Sequence, residues 1–179
     1  SGCGKSTLLK LMMRFWDADA GTISLGGKNI KEAKRSSLYS HYNYMTQSTS
    51  LFTGTIRDNL LVAKPEASEE EIMEALKKAS FYDYVMSLPD KLQTVVEEGG
   101  KNFSGGERQR IGLARCFLAD RSIFFLDEPT SNLDSLNEAV ILKSIKEECE
   151  SKTVLLVSHR KSTMSIVDKC YSVESGRMS

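Results

Sequence analysis

The sequence predicts an α/β fold, a doubly wound and mainly parallel sheet with a helical subdomain inserted at roughly residues 48–118. Three observations lead there. Residues 1–7, Ser1-Gly2-Cys3-Gly4-Lys5-Ser6-Thr7, read as the second half of a phosphate-binding loop running into a helix. Two short, continuous apolar runs, Ile123-Phe124-Phe125-Leu126 and Val154-Leu155-Leu156-Val157, have the character of parallel strands covered on both faces. Upstream of these runs, from residue 55 onward, helical patterns follow one another with no strand between them.

A complete loop of this kind reads G-x-x-x-x-G-K-[ST]; its glycines let backbone N–H groups curl around phosphates. Gly4, Lys5 and Ser6 supply the G-K-S end and Gly2 keeps the backbone pliable, while the opening glycine and its feeding strand are expected before Ser1. The sequence therefore reads as a fragment. On these residues alone, a Gly/Ser-rich start before a helix, with no ligand, is the alternative. Leu8, Leu9, Leu11, Met12, Met13, Phe15 and Trp16 make the following helix apolar around most of its circumference, the pattern of a buried helix. Residues 22–25 and 28–30 flank Gly26-Gly27 as a small antiparallel element. Residues 42–46 read as a strand ending at Gln47, and 51–61 as a turn that runs into a short helix.

Ser68 and Glu71 match a capping box, and Ile72, Ala75, Leu76 and Ala79 then share one helical face. Phe81, Tyr84, Val85 and Leu88 continue as a short helix that Pro89 stops. Ser104 and Glu107 open a further helix with Ile111, Ala114, Phe117 and Leu118 on its inner face. Residues 135–150 form the helix between the two apolar strands, with Ser135 and Glu138 as its capping pair.

The 179 residues suffice for one domain with a real core. The 24 basic and 24 acidic side chains cancel, which argues against nucleic acid or an anionic membrane surface as the main partner. Cys3, Cys116, Cys149 and Cys170 are scattered, without the spacing of a zinc site or a disulfide scaffold, and fit reduced thiols. No apolar run approaches the roughly 18 residues that span a bilayer.

Asp127 and Glu128 directly follow an apolar strand, so both carboxylates emerge at its C-terminal end, where open parallel sheets bind ligands. Such a pair also serves as an ordinary helix cap or solvated turn. Gly105 and Gly106 are poor choices for a first helical turn, each costing roughly 0.5–1 kcal/mol against Ala. They do permit a phosphate to approach bare N–H groups at a helix N-terminus.

Together these residues resemble the nucleotide-binding domain of an ABC ATPase. Residues 1–7 resemble the end of Walker A, 103–107 the family signature, 123–128 Walker B, Ser131-Asn132-Leu133-Asp134 the D-loop, Gln47 the Q-loop and His159 the switch histidine, all in the family's order. The implied fold is a P-loop NTPase core lacking its N-terminal strands. The implied cofactors are ATP and Mg²⁺. By this resemblance Gly2, Cys3, Gly4, Lys5, Ser6 and Thr7 hold the phosphates, Ser6, Gln47 and Asp127 hold the metal, and Gln47, Glu128 and His159 carry the chemistry, Glu128 as general base. Asp134 of the D-loop is implied to bind nucleotide as well, and Ser104, Gly105 and Gly106 to reach ATP held by a second such domain, so two domains pack head to tail around nucleotide.

The signature reads Phe-Ser-Gly-Gly-Glu where Leu-Ser-Gly-Gly-Gln is commonest, with its Ser and glycines intact. Thr55-Ile56-Arg57-Asp58-Asn59-Leu60 and Val96-Glu97-Glu98-Gly99-Gly100 resemble exporter cassettes, although Glu97 stands where Gly is usual. The expectation is a transport ATPase on the cytoplasmic face of a membrane, joined to a transmembrane domain N-terminal in the same polypeptide, with no nucleic-acid partner. A fragment lacking the upstream strands, the first loop glycine and the adenine-stacking aromatic is expected to bind ATP poorly or not to fold independently. The alternative within the family, a soluble ATPase acting on ribosomes or DNA, predicts a second cassette, a coiled-coil insertion or a basic patch, and the sequence shows none of these.

Overall fold

The computed structural model describes residues 4–148, 150–174, 177 and 178. Its elements in chain order are α1 (Lys5–Met12), β1 (Ser24–Leu25), β2 (Lys28–Asn29), α2 (Arg35–Tyr39), β3 (Tyr42–Met45), β4 (Gly54–Thr55), α3 (Ile56–Leu61), α4 (Glu69–Lys78), α5 (Tyr82–Ser87), β5 (Val95–Val96), α6 (Gly105–Ala119), β6 (Ile123–Asp127), α7 (Ser135–Glu148), β7 (Thr153–Val157), β8 (Val173–Glu174) and β9 (Arg177–Met178).

The centre is a parallel three-stranded sheet in the order β3-β6-β7. All five residues of β6 are buried, as its unbroken apolar run requires of a strand covered on both faces. Its side chains alternate between two cores. Phe124 and Leu126 face a large cluster built with α3 to α7, whereas Ile123 and Phe125 face a smaller one built with Leu9, Met13, Ile30, Leu38 and Tyr42. Successive strand residues point to opposite faces, so one short segment organises both layers.

α6 runs beneath the sheet against β3, α3 and α4. Ile111, Ala114, Phe117 and Leu118 are buried as the spacing predicts, but so are Gln109, Gly112, Leu113 and Cys116. Gly112 makes close packing possible: a Cβ there would lie 2.5 Å from Thr49 Oγ1. The capping boxes at Ser68/Glu71 and Ser104/Glu107 are both formed, and a third, Thr55/Asp58, starts α3.

Three expectations need correction. The helix after the phosphate loop is not buried all round. It ends at Met12 in a Schellman closure, with Phe15 N–H to Lys10 O and Arg14 N–H to Leu11 O, both 2.9 Å, and with Arg14 rather than Gly in the left-handed position (φ 60). Arg14 is held there by bonds from Nη1 to Ile30 O at 2.8 Å and Ala33 O at 2.7 Å. The chain turns away, and Phe15 and Trp16 are left 41% and 54% exposed; Phe15 meets Tyr39 and Tyr44 edge-on.

The helical run between residues 55 and 118 is interrupted by a strand pair, since β4 and β5 form a two-residue antiparallel ladder that ties the start of α3 to the segment before α6. Finally, α7 is not capped by Ser135 and Glu138. Asp134 Oδ1 accepts from the N–H groups of Leu136 and Asn137, each at 3.0 Å, while Glu138 turns inward to Arg160. A partly buried guanidinium competes more strongly for that carboxylate than an exposed N–H does.

Because Phe124 is 1% exposed between α6 and the sheet, Phe124→Ala should lower unfolding free energy by about 3–5 kcal/mol, read as a shift in the denaturant midpoint at unchanged slope.

Candidate active site

Gly4 ends the expected phosphate loop and forms the N-cap of α1 at φ 96, a conformation in which any Cβ is strained. Lys5 and Ser6 are the first helical residues and half-buried; Thr7 is exposed. Among the described residues no side chain caps this end and no carboxylate lies in its first turn, and a helix N-terminus of this kind is suited to an anion. The expected ligands Gly2 and Cys3 lie outside the described residues.

The other candidates meet where the three parallel strands end. Because β3, β6 and β7 are paired in register, Gln47, Glu128 and His159 emerge side by side, two, one and two residues beyond their strands. Glu128 is the meeting point. His159 Nε2 lies 3.1 Å from its Oε1, and Gln47 Nε2 donates to its Oε2 at 3.3 Å. Asp127, the last residue of β6, is 4% exposed. Burial raises the Tyr44 phenol above its ordinary range and the Asp127 carboxylate adds to the effect, so Tyr44 stays protonated at neutral pH.

Glu128 itself has φ 52, a left-handed conformation that costs a non-glycine residue about 1–2 kcal/mol. Both of its backbone groups are fixed. Its N–H donates to Val157 O at 2.9 Å, and its carbonyl accepts from Gln109 Nε2 at 2.9 Å.

Ser104, Gly105 and Gly106 open α6 against the segment after Glu128. Ser104 Oγ accepts from the Glu107 N–H at 3.3 Å, and Glu107 Oε2 from the Ser104 N–H at 2.7 Å. A Cβ on Gly106 would lie 3.1 Å from Asn132 O, so this glycine also permits close packing within the chain. Asp134 is occupied as the cap of α7, where hydrogen bonds from Asn137 hold its carboxyl below the usual range.

Two positions escaped the sequence reading. Arg160, next to His159, pairs with Glu138 and donates through Nη2 to Ser131 O at 3.2 Å and Leu133 O at 3.0 Å. Glu138 also accepts from Ser162 Oγ at 2.6 Å. Gln109 is the other. Gln109, Gly112, Leu113 and Cys116 recur at i, i+3, i+4 and i+7, a second buried stripe that was available in the sequence.

The side chains of the expected metal ligands Ser6, Gln47 and Asp127 all offer oxygen, the donor chemistry that suits a hard cation such as Mg²⁺. A separate cavity of about 410 Å³ lies at the outer edge of β3, lined by Asn43, Met45, Thr49, Gly112, Arg115 and Cys116 among others. Arg115 bridges its rim, donating to Ser50 O at 2.9 Å, Asn59 O at 2.7 Å and Asn59 Oδ1 at 2.7 Å.

The sequence matches the family described as ABC transporter over residues 1–131. The chain belongs to the ABC transporter family. It is 52% identical over its whole length to a probable ABC transporter ATP-binding/permease protein of Haemophilus influenzae, covering 32% of that protein. It is 40% identical over 178 residues to a putative multidrug export ATP-binding/permease protein of Staphylococcus aureus, covering 31% of it. Among solved structures, that of a bacterial Atm1-family ABC exporter with ATP bound superposes with a TM-score of 0.94 at 34% identity, over 99% of this chain and 31% of the other. The chain thus spans about a third of the length of these relatives.

Glu138 is buried, which pushes its carboxyl up, but the bonds from Ser162 and Arg160 and the Arg160 charge outweigh this and hold it below the usual carboxylate range. Its stabilisation is therefore full above the unfolded value of 4.5 and is lost as pH falls through the lower folded value. Glu138→Gln should cost about 2 kcal/mol at pH 7 and flatten the acid limb of a melting-temperature profile taken from pH 3 to 7.

Proposed function

We propose that this chain is the ATP-binding and ATP-hydrolysing domain of a membrane exporter. The observation that carries this reading is the convergence of Gln47 and His159 on the single carboxylate of Glu128, beside Asp127.

In this reading the N–H groups around Gly4, with Lys5, hold the terminal phosphates of ATP, and Ser6, Asp127 and Gln47 hold Mg²⁺. When bound, that ion neutralises phosphate charge and fixes the oxygens about the γ-phosphorus. Glu128 takes the proton of an attacking water as its oxygen bonds to the γ-phosphorus; the bond from that phosphorus to the bridging oxygen breaks, and ADP leaves. His159 holds the Glu128 carboxylate from one side and reaches toward the γ-phosphate, while Gln47 holds it from the other. Ser104, Gly105, Gly106 and Asp134 serve the nucleotide of a second such domain, so ATP closes a head-to-tail pair.

The transmembrane partner is inferred from the ATP-binding/permease relatives, roughly three times as long as this chain. We place it N-terminal in the same polypeptide, with this domain on the cytoplasmic face, where ATP is found. Residues 48–118 form the helical subdomain that meets it. Asn59 supports such a role: it is buried and hydrogen-bonded to Phe52, Thr55 and Arg115, which stiffens the turn leading into α3. The soluble alternative, an ABC ATPase acting on ribosomes or DNA, has no comparable support, since the relatives' names couple the ATP-binding part to a permease.

In the full-length protein, Glu128→Gln should lower phosphate release by about 10²-fold or more while ATP binding persists, as expected when a general base is removed. Turnover equal to the unaltered protein would overturn the assignment of Glu128.

A further inference from the structure

The second turn of α6 carries a polar side chain with almost no access to solvent, Gln109, 1% exposed. Both ends of its amide are engaged. Oε1 accepts from the Asn132 N–H at 3.1 Å, which settles the orientation of the group; Nε2 then gives one proton to the Glu128 carbonyl at 2.9 Å and the other to Ser131 Oγ at 3.0 Å. The three partners all lie in the turn that leaves β6. Its first residue is Glu128, held at φ 52.

Anchoring α6 does not require this network, because Ile111, Leu113 and Ala114 on the same helix are fully buried in the large core. What the amide adds is direction. The Val157 carbonyl fixes the Glu128 N–H, and the Glu128 carbonyl accepts from both Gln109 Nε2 and, at 3.2 Å, the Ser131 N–H, whose own Oγ Gln109 also holds. With both ends set, the side chain leaves the backbone toward Gln47 and His159.

We infer that Gln109 is the positioning residue for the Glu128 carboxylate, acting through the Glu128 backbone and touching neither nucleotide nor water. The inference rests on the ATPase reading above. It also makes α6 the common support of two things, the Ser104 to Gly106 turn at its start and the base at the end of β6.

The test compares Gln109→Glu and Gln109→Met in the full-length protein with the unaltered protein and with Glu128→Gln. Gln109→Glu keeps the acceptor for Asn132 but sets a carboxylate oxygen against the Glu128 carbonyl; Gln109→Met is similar in volume and removes both functions. A base displaced by a fraction of an ångström to about 1 Å should lower kcat about 10- to 100-fold, with the KM for ATP within about 3-fold and the melting temperature near that of the unaltered protein. Added to Glu128→Gln, either change should alter residual turnover less than about 2-fold, because both act through one carboxylate.

Undiminished kcat in both variants overturns the assignment, as does a fall in kcat matched by equal losses of ATP affinity and melting temperature. Should one variant fail to fold, the other decides, and failure of both to fold overturns it in favour of a structural role. Absence of ATP turnover in the unaltered full-length protein would overturn the ATPase reading and this assignment together. Turnover that Glu128→Gln abolishes but both Gln109 variants retain removes this assignment alone.

Discussion

The site depends on where one peptide sits, the one that turns the chain out of β6. At Glu128 the backbone leaves the extended region for a left-handed conformation, and the cost is offset by hydrogen bonds on both sides, from β7 and from α6. Neither support is local in sequence. The sheet supplies one because β7 lies parallel to β6 and in register, and α6 supplies the other because its buried stripe reaches the end of the strand. The carboxylate is thus placed by the sheet and the helix beneath it together.

The same turn is gripped again a few residues later. Gln109 holds Ser131 and Asn132 from the α6 side, and Arg160 holds Ser131 and Leu133 from the end of β7. Arg160 is in turn fixed by Glu138 on α7. Residues 128–134 are therefore tied to both α6 and the segment after β7, so displacement of either is transmitted to Glu128. Such a fully satisfied polar network confers rigidity that apolar packing alone does not.

Much of the fold was legible because its signals are local. The run Ile123-Phe124-Phe125-Leu126 needs no partner to declare itself a buried strand, and Ser104 with Glu107 declares a helix start within four residues. The failures share a cause in distant partners. Ser135 and Glu138 have the spacing of a capping box, but Arg160, 22 residues away, takes the glutamate. The apolar residues after α1 look like more buried helix, but carbonyls at Ile30 and Ala33 hold Arg14 in the conformation that ends it. For the site, the strand-end positions of Gln47, Glu128 and His159 place them together once the sheet is parallel, whereas the grip of Gln109 depends on how α6 lies beneath it.

The two glycines that begin α6 are not equivalent. A methyl group at 106 would press on the Asn132 carbonyl at 3.1 Å and Leu133 at 3.2 Å, while one at 105 would rest 3.4 Å from the Asn132 side chain, an ordinary contact. At 106 a methyl group would thus require neighbours in its own chain to give by a few tenths of an ångström. At 105 it would meet only ordinary contact. Two adjacent glycines that read as a single feature in the sequence are in this fold under different packing constraints.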